Sequence, residues 1–187
     1  MSIAFARQGS ASVVPAHAAG EPSSDEMLIA RIAGGDRLAM QTLFARYRTP
    51  VYRWLLRLVG NETVAEDLLS DVFLDVWRQA GRFQARSAVS TWLLAIARFK
   101  ALSARRSRKD AELDETIEVV LQKKSRDQFV RTALTTLSLE HREIIDLVYY
   151  HDKSVDECAQ ILGVPSGTVK TRMFYARKKL AELVQAA

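Results

Sequence analysis

From Asp25 onward, apolar positions recur every three or four residues, the spacing of helices that bury one stripe at roughly 100° per residue. Leu28 and Ile32 open the pattern, and Ala39, Leu43 and Phe44 continue it beyond Gly34-Gly35, a pair that separates one helix from the next. Pro50 suits the first turn of a further helix with the stripe Val51, Trp54, Leu55, Leu58 and Val59, stopped by Gly60-Asn61. The next helix is expected from Glu62 to about Gln79, with Val64, Leu68, Val72, Phe73 and Val76 inward. Glu62, Glu66 and Asp67 favour its amino-terminal end through the helix dipole. Ser90 or Thr91 starts another, carrying Trp92, Leu93, Ile96 and Phe99. The fold class read from this pattern is all-α.

The strongest local signal lies near the other end. Ser154-Val155-Asp156-Glu157 fits a capping box, so a helix is expected from about Val155 to Leu162. The tight turn Gly163-Val164-Pro165 then feeds a second helix, which Ser166 is placed to cap. On that helix Val169, Met173, Ala176, Leu180 and Leu183 form the inward stripe. The opposite face gathers Gly167, Thr171, Phe174 and Lys178, flanked by Lys170, Arg177, Tyr175 and Lys179. No acid occurs from Val164 to Ala181. This is a helix-turn-helix presenting a basic reading helix to DNA, and Phe129, Ala133, Leu134, Leu137, Ile144, Ile145 and Val148 supply its supporting core.

These signals divide the chain. Residues 1–24, rich in Ala, Ser, Gly and Pro, read as a mobile tail, and residues 25–109 and 126–185 as two small helical modules. The mixed-charge stretch 110–125 reads as a flexible linker. A formal charge of +5 over 187 residues matters only because it is clustered: Arg98, Lys100, Arg105, Arg106, Arg108 and Lys109 form one block and the reading helix another. Both point to a polyanion. Asp67, Asp71 and Asp75, spaced by four, form an acidic ridge that weakens an isolated helix and so awaits a basic partner.

The single cysteine, Cys158, excludes an internal disulfide and fits a reducing cytoplasm, its default role being a buried small residue. No run approaches the roughly 20 apolar residues that span a bilayer, so direct membrane insertion is not expected. His141, His151 and Cys158 have no metal-ligand or nucleophile spacing, and phosphate-binding glycine loops are absent. No enzyme, cofactor, metal or small-molecule substrate is expected.

Four segments together resemble one known family. Arg46-Tyr47-Arg48 with Val51-Tyr52, Ala65 to Trp77, Phe83 to Ser87 with Thr91-Trp92-Leu93, and Gly163 to Arg172 are similar, in order and spacing, to the extracytoplasmic-function sigma factors of the sigma-70 family. The resemblance spans Asp25 to Val184. It implies a dissociable initiation subunit whose partners are bacterial RNA polymerase core, promoter DNA and an anti-sigma factor, with catalysis left to the polymerase. By it, Asp67, Leu68, Asp71 and Asp75 meet core polymerase, and Arg82, Arg86, Ser87, Arg98, Lys100, Arg105 and Arg106 meet the -10 element. The loop from Arg82 to Ser87 corresponds to the segment that melts that element. Ser166, Gly167, Lys170, Thr171, Phe174, Tyr175, Arg177 and Lys178 meet the -35 element. Phe99 stands where relatives carry Asn, Ser103 where Asp is common and Tyr175 where Arg is frequent, so promoter sequence does not transfer from them. The rival reading, a stand-alone helix-turn-helix regulator, leaves the first module without a role.

Overall fold

The computed structural model describes residues 24–111 and 137–185. The first module consists of α1 (Asp25–Ala33), α2 (Arg37–Val59), α3 (Glu62–Gln79), a short 3-10 turn (Ala80–Arg82) and α4 (Val89–Ala111). The second contains α5 (Leu139–Tyr149), α6 (Val155–Leu162) and α7 (Ser166–Gln185). Local chemistry sets most of these limits. The Asp36 carboxylate accepts the amides of Leu38 and Ala39 at 2.9 and 3.1 Å, and the Asn61 side chain accepts that of Val64 at 3.0 Å, satisfying donors that a helix start leaves free. Gly60 ends α2 at φ 69°, a left-handed conformation that costs a side-chain-bearing residue energy and glycine almost none.

Pro50 does not begin a helix. α2 runs unbroken through it. A proline inside a helix forfeits a ladder amide and costs about 3 kcal/mol, but Leu43 before it and Val51, Trp54 and Leu55 after it are each no more than 1% exposed. Burying such side chains contributes about 1.5–3 kcal/mol apiece, so tertiary packing outweighs the local defect. Ser166 is likewise not the cap of α7 but its first residue, since the Pro165 carbonyl accepts the amides of Thr168 and Val169. At the other boundary α4 extends to Ala111, two residues beyond the expected module end. The tail, most of the linker, and Phe129, Ala133 and Leu134 lie outside the described residues.

The two modules share a core. One apolar cluster runs from Leu28, Leu43 and Trp54 through Leu93, Leu94 and Ala97 of α4 into Cys158, Ile161 and Leu162 of α6 and Ile144 and Leu147 of α5. Trp54 fastens α2 to α4 from within, its indole Nε1 donating to the Leu94 carbonyl at 3.3 Å. A smaller cluster of Leu137, Ile145 and Ala176 belongs to the second module alone.

Polar groups also cross this junction. Thr91 donates to Glu157 at 2.7 Å, and Lys153 donates to Ser90 at 2.6 Å while pairing with Glu157 at 2.9 Å. Burial pushes the Glu157 carboxyl up, but hydrogen bonds from Lys153, Thr91 and the Ser154 amide outweigh it and hold the group down at about 2. A carboxyl depressed in the folded state stabilises above its ordinary pKa of 4.5, and that contribution is lost as pH falls toward about 2. Replacing Glu157 by Gln is therefore expected to flatten the acid limb of a stability-versus-pH curve between those values. A limb of unchanged slope counts against the role.

Beside it, burial pushes Asp146 up to about 7 against the pull of Arg57, and burial, aided by Arg57 and Lys153, pushes His151 down to about 4. The Arg57 guanidinium, 2.9 Å from Asp146, is the partner that favours its ionised form.

Candidate nucleic-acid interface

The helix-turn-helix forms as its sequence dictates. The Ser154 hydroxyl accepts the Glu157 amide while the Glu157 carboxylate accepts that of Ser154, and Gly163 turns the chain at φ 65°. Val169 and Ala176 are fully buried and Met173 and Leu180 half-buried, which fixes the rotation of α7; the Leu183 side chain lies outside the described set. The inward stripe forces the other face outward. Gly167, Lys170, Thr171, Phe174, Arg177 and Lys178 are all exposed on it, and Ser166 is half-buried at the start.

Each exposed group has a distinct chemistry. Thr171 donates its hydroxyl to the Gly167 carbonyl at 3.0 Å, leaving its oxygen as an acceptor and its methyl group free for apolar contact. Phe174 is 63% exposed and meets the Tyr175 ring edge-on at 5.4 Å. Arg177 leans over the Tyr149 ring, 5.9 Å from its centroid. Tyr175 and Lys178 border a shallow groove with Leu137, His141 and Glu182, so Tyr175 faces the flank of α7 rather than its front. Arg172 pairs with Glu140 at 3.0 Å and braces α7 on α5.

The first module offers a second basic surface, smaller than expected. Arg82, Arg86 and Arg106 are exposed, and Ser87 is half-buried. Phe83 packs on Trp92 with ring centroids 5.1 Å apart, which makes both part of the loop's support. Between them Ala85 is held at φ 51°, a conformation that costs a non-glycine residue about 1–3 kcal/mol and persists only where its surroundings impose it.

Three of the residues expected at the -10 element are engaged within the fold in this arrangement of the modules. Arg98 is enclosed by Glu143 and the Leu162 carbonyl, Lys100 pairs with Asp75 at 2.8 Å, and Arg105 donates to the Leu58 carbonyl at 3.2 Å. Their charges are spent inside the fold because α4 is central and its neighbours supply acceptors. Leu68 faces the module's own core at 8% exposure and presents nothing to a partner. Asp67 and Asp71 remain exposed, whereas Asp75 is half-buried with its lysine.

Glu143 and Asp146, buried acids between the modules, escape a reading of the sequence. Their signal there is faint: one acid inside the apolar run Ile144 to Val148 and one just before it, with no partner legible along the chain. Cys158 is buried, and burial, with Glu157 adding to it, pushes its thiol up to about 11, far from a reactive thiolate. No helix among the described residues is long and apolar enough to cross a membrane, and no group of His, Cys, Asp and Glu among them is placed to hold a metal.

Comparison with known proteins bears on this arrangement. Residues 43–111 match the Sigma-70 region 2 family and residues 130–180 the Sigma-70, region 4 family. The chain is 36% identical over 171 residues to the ECF RNA polymerase sigma factor SigM of Mycobacterium tuberculosis, covering 88% of this chain and 86% of that one. To the RNA polymerase sigma factor CarQ of Myxococcus xanthus it is 31% identical over 163 residues, 82% of this chain and 94% of that one. Among solved structures it resembles CnrH in complex with the cytosolic domain of CnrY, with a TM-score of 0.69 at 25% identity over 88% of this chain and 99% of that one. The sigma factor RpoE bound to the anti-sigma factor NepR from Bartonella quintana also gives 0.69, at 26% identity over 78% and 96%.

Proposed function

Because this chain belongs to the sigma-70 family as an extracytoplasmic-function sigma factor, which directs RNA polymerase core to promoters, we propose that its two basic surfaces divide promoter recognition between them. The exposed front of α7, free of acids from Ser166 to Ala181, supports this most directly. Thr171, Phe174 and Lys170 lie where base edges of the -35 element pass, and Arg177 and Lys178 where phosphates do. Arg82, Arg86, Ser87 and Arg106 take the -10 strand, with the strained loop around Ala85 positioning them. Opening duplex costs a few kcal/mol per unstacked base, and cationic flanks help to retain the freed strand. Runoff transcription by core polymerase with this protein added tests the reading: promoter-specific transcripts are expected, and activity equal to core alone would overturn it.

The exposed acids of α3 supply the polymerase contact. Asp71→Lys is expected to weaken association with core polymerase, and to do so more at low salt than at high, because an exposed ion pair is screened. Asp75→Lys should act less specifically, since Asp75 already holds Lys100. Competition for fluorescent core polymerase at two salt concentrations measures both, and equal affinity for a folded Asp71→Lys protein removes that residue from the interface. An anti-sigma factor is the remaining partner, supported by the CnrY and NepR complexes of the two structural neighbours.

A further inference from the structure

Arg98 is the most completely engaged cation between the modules. Its Nε and Nη2 donate to the two carboxylate oxygens of Glu143 at 2.7 and 3.2 Å, and its Nη1 donates to the Leu162 carbonyl at 3.2 Å. That carbonyl belongs to the last turn of α6, where the helix dipole adds negative potential. Glu143 is 2% exposed, yet it sits on α5, in the other module. A second ion pair crosses nearby, from Arg57 of α2 to Asp146 of α5 at 2.9 Å, with the Tyr150 ring stacked 4.4 Å over the guanidinium.

We propose that the Arg98–Glu143 pair, seconded by Arg57–Asp146, is an intramolecular latch that holds the two modules closed, with Glu143 occupying the guanidinium that a nucleic-acid phosphate takes once they part. This rests on the expectation that Arg98 meets the -10 strand, a contact that the closed arrangement of the modules withholds. A carboxylate suits the part, since the guanidinium fork binds carboxylate and phosphate through the same paired hydrogen bonds.

Opening is required by dimensions. Elements centred about 25 base pairs apart lie on the order of 80 Å apart along a duplex at about 3.4 Å per pair. A single packed body of this chain length is only about 40 Å across. The latch is also built to release. Arg57 Nε, His151 Nε2 and both Asp146 oxygens are buried without a well-aligned hydrogen-bond partner among the described residues, and such groups regain water when the junction opens.

The test uses the full chain. Glu143→Gln keeps the shape and removes the charge, leaving the half-buried Arg98 without its counter-charge, a strain that opening relieves. X-ray scattering should show a larger radius of gyration than the unsubstituted protein, and so should Arg98→Gln, which breaks the pair from the other side and serves if Glu143→Gln fails to fold. If the closed form holds about nine molecules in ten, opening should tighten binding of a random-sequence single-stranded 12-mer about tenfold in Glu143→Gln. That gain should vanish in the Arg98→Gln/Glu143→Gln double variant. Folded variants that stay compact overturn the latch. A gain that survives in the double variant overturns the competition for Arg98, while runoff transcription separately reports whether promoter-directed initiation itself stands.

Discussion

Trp54→Ala is expected to destabilise the protein by about 3–5 kcal/mol, the usual cost of truncating a fully buried aromatic side chain. Trp54 is 1% exposed at the centre of the cluster that spans both modules, so its removal leaves a void that α2 and α4 cannot jointly close. It also removes the indole donor to the Leu94 carbonyl and the ring that meets His151 edge-on at 5.7 Å. Trp54→Phe separates these effects, because it keeps much of the apolar packing and deletes the indole donor, at a hydrogen-bond cost of about 1 kcal/mol on top of the reduced volume. Urea unfolding followed by circular dichroism measures both. A Trp54→Ala loss below about 1 kcal/mol would show that the core does not depend on this side chain.

Substitutions on α7 should divide into two kinds of failure. Thr171→Ala or Phe174→Ala is expected to cost about 1–3 kcal/mol at particular -35 base pairs and to relax preference there, because direct readout acts through methyl groups and base edges. Lys178→Ala should weaken binding to all promoters alike and lower the salt slope by about one, because one phosphate fewer is neutralised and one counterion fewer released. The helix itself should persist in each case, since Val169 and Ala176 hold it and none of the three altered residues is buried. Holoenzyme binding across a library of -35 variants at several salt concentrations makes the distinction. Equal weakening at every variant for Thr171→Ala and Phe174→Ala would mean that this face holds DNA without reading it.

Local rules explain which features are legible along the chain. The capping box at Ser154, the left-handed turn at Gly163 and the apolar stripe of α7 each depend on residues within four or five positions, so the helix-turn-helix and its outward face follow from spacing. The limits of α3 follow in the same way from Asn61 and the period of Val72 and Val76. Pro50 misleads because a local breaker says nothing of the long-range burial of Leu43 and Trp54 that overrides it.

The sequence alone determined an all-helical chain, its reading helix and the chemistry of that helix's front, since these arise from periodicity and from contacts along one segment. Only the tertiary structure decided which charges remain available. Arg98, Lys100 and Arg105 stand in one basic block with Arg106, yet three of the four find acceptors brought from α5, α6, α3 and α2, and Arg106 alone stays exposed. A cation's partner is set by which distant carboxylate or carbonyl the packing places within about 3 Å of it, and no spacing along the chain encodes that distance.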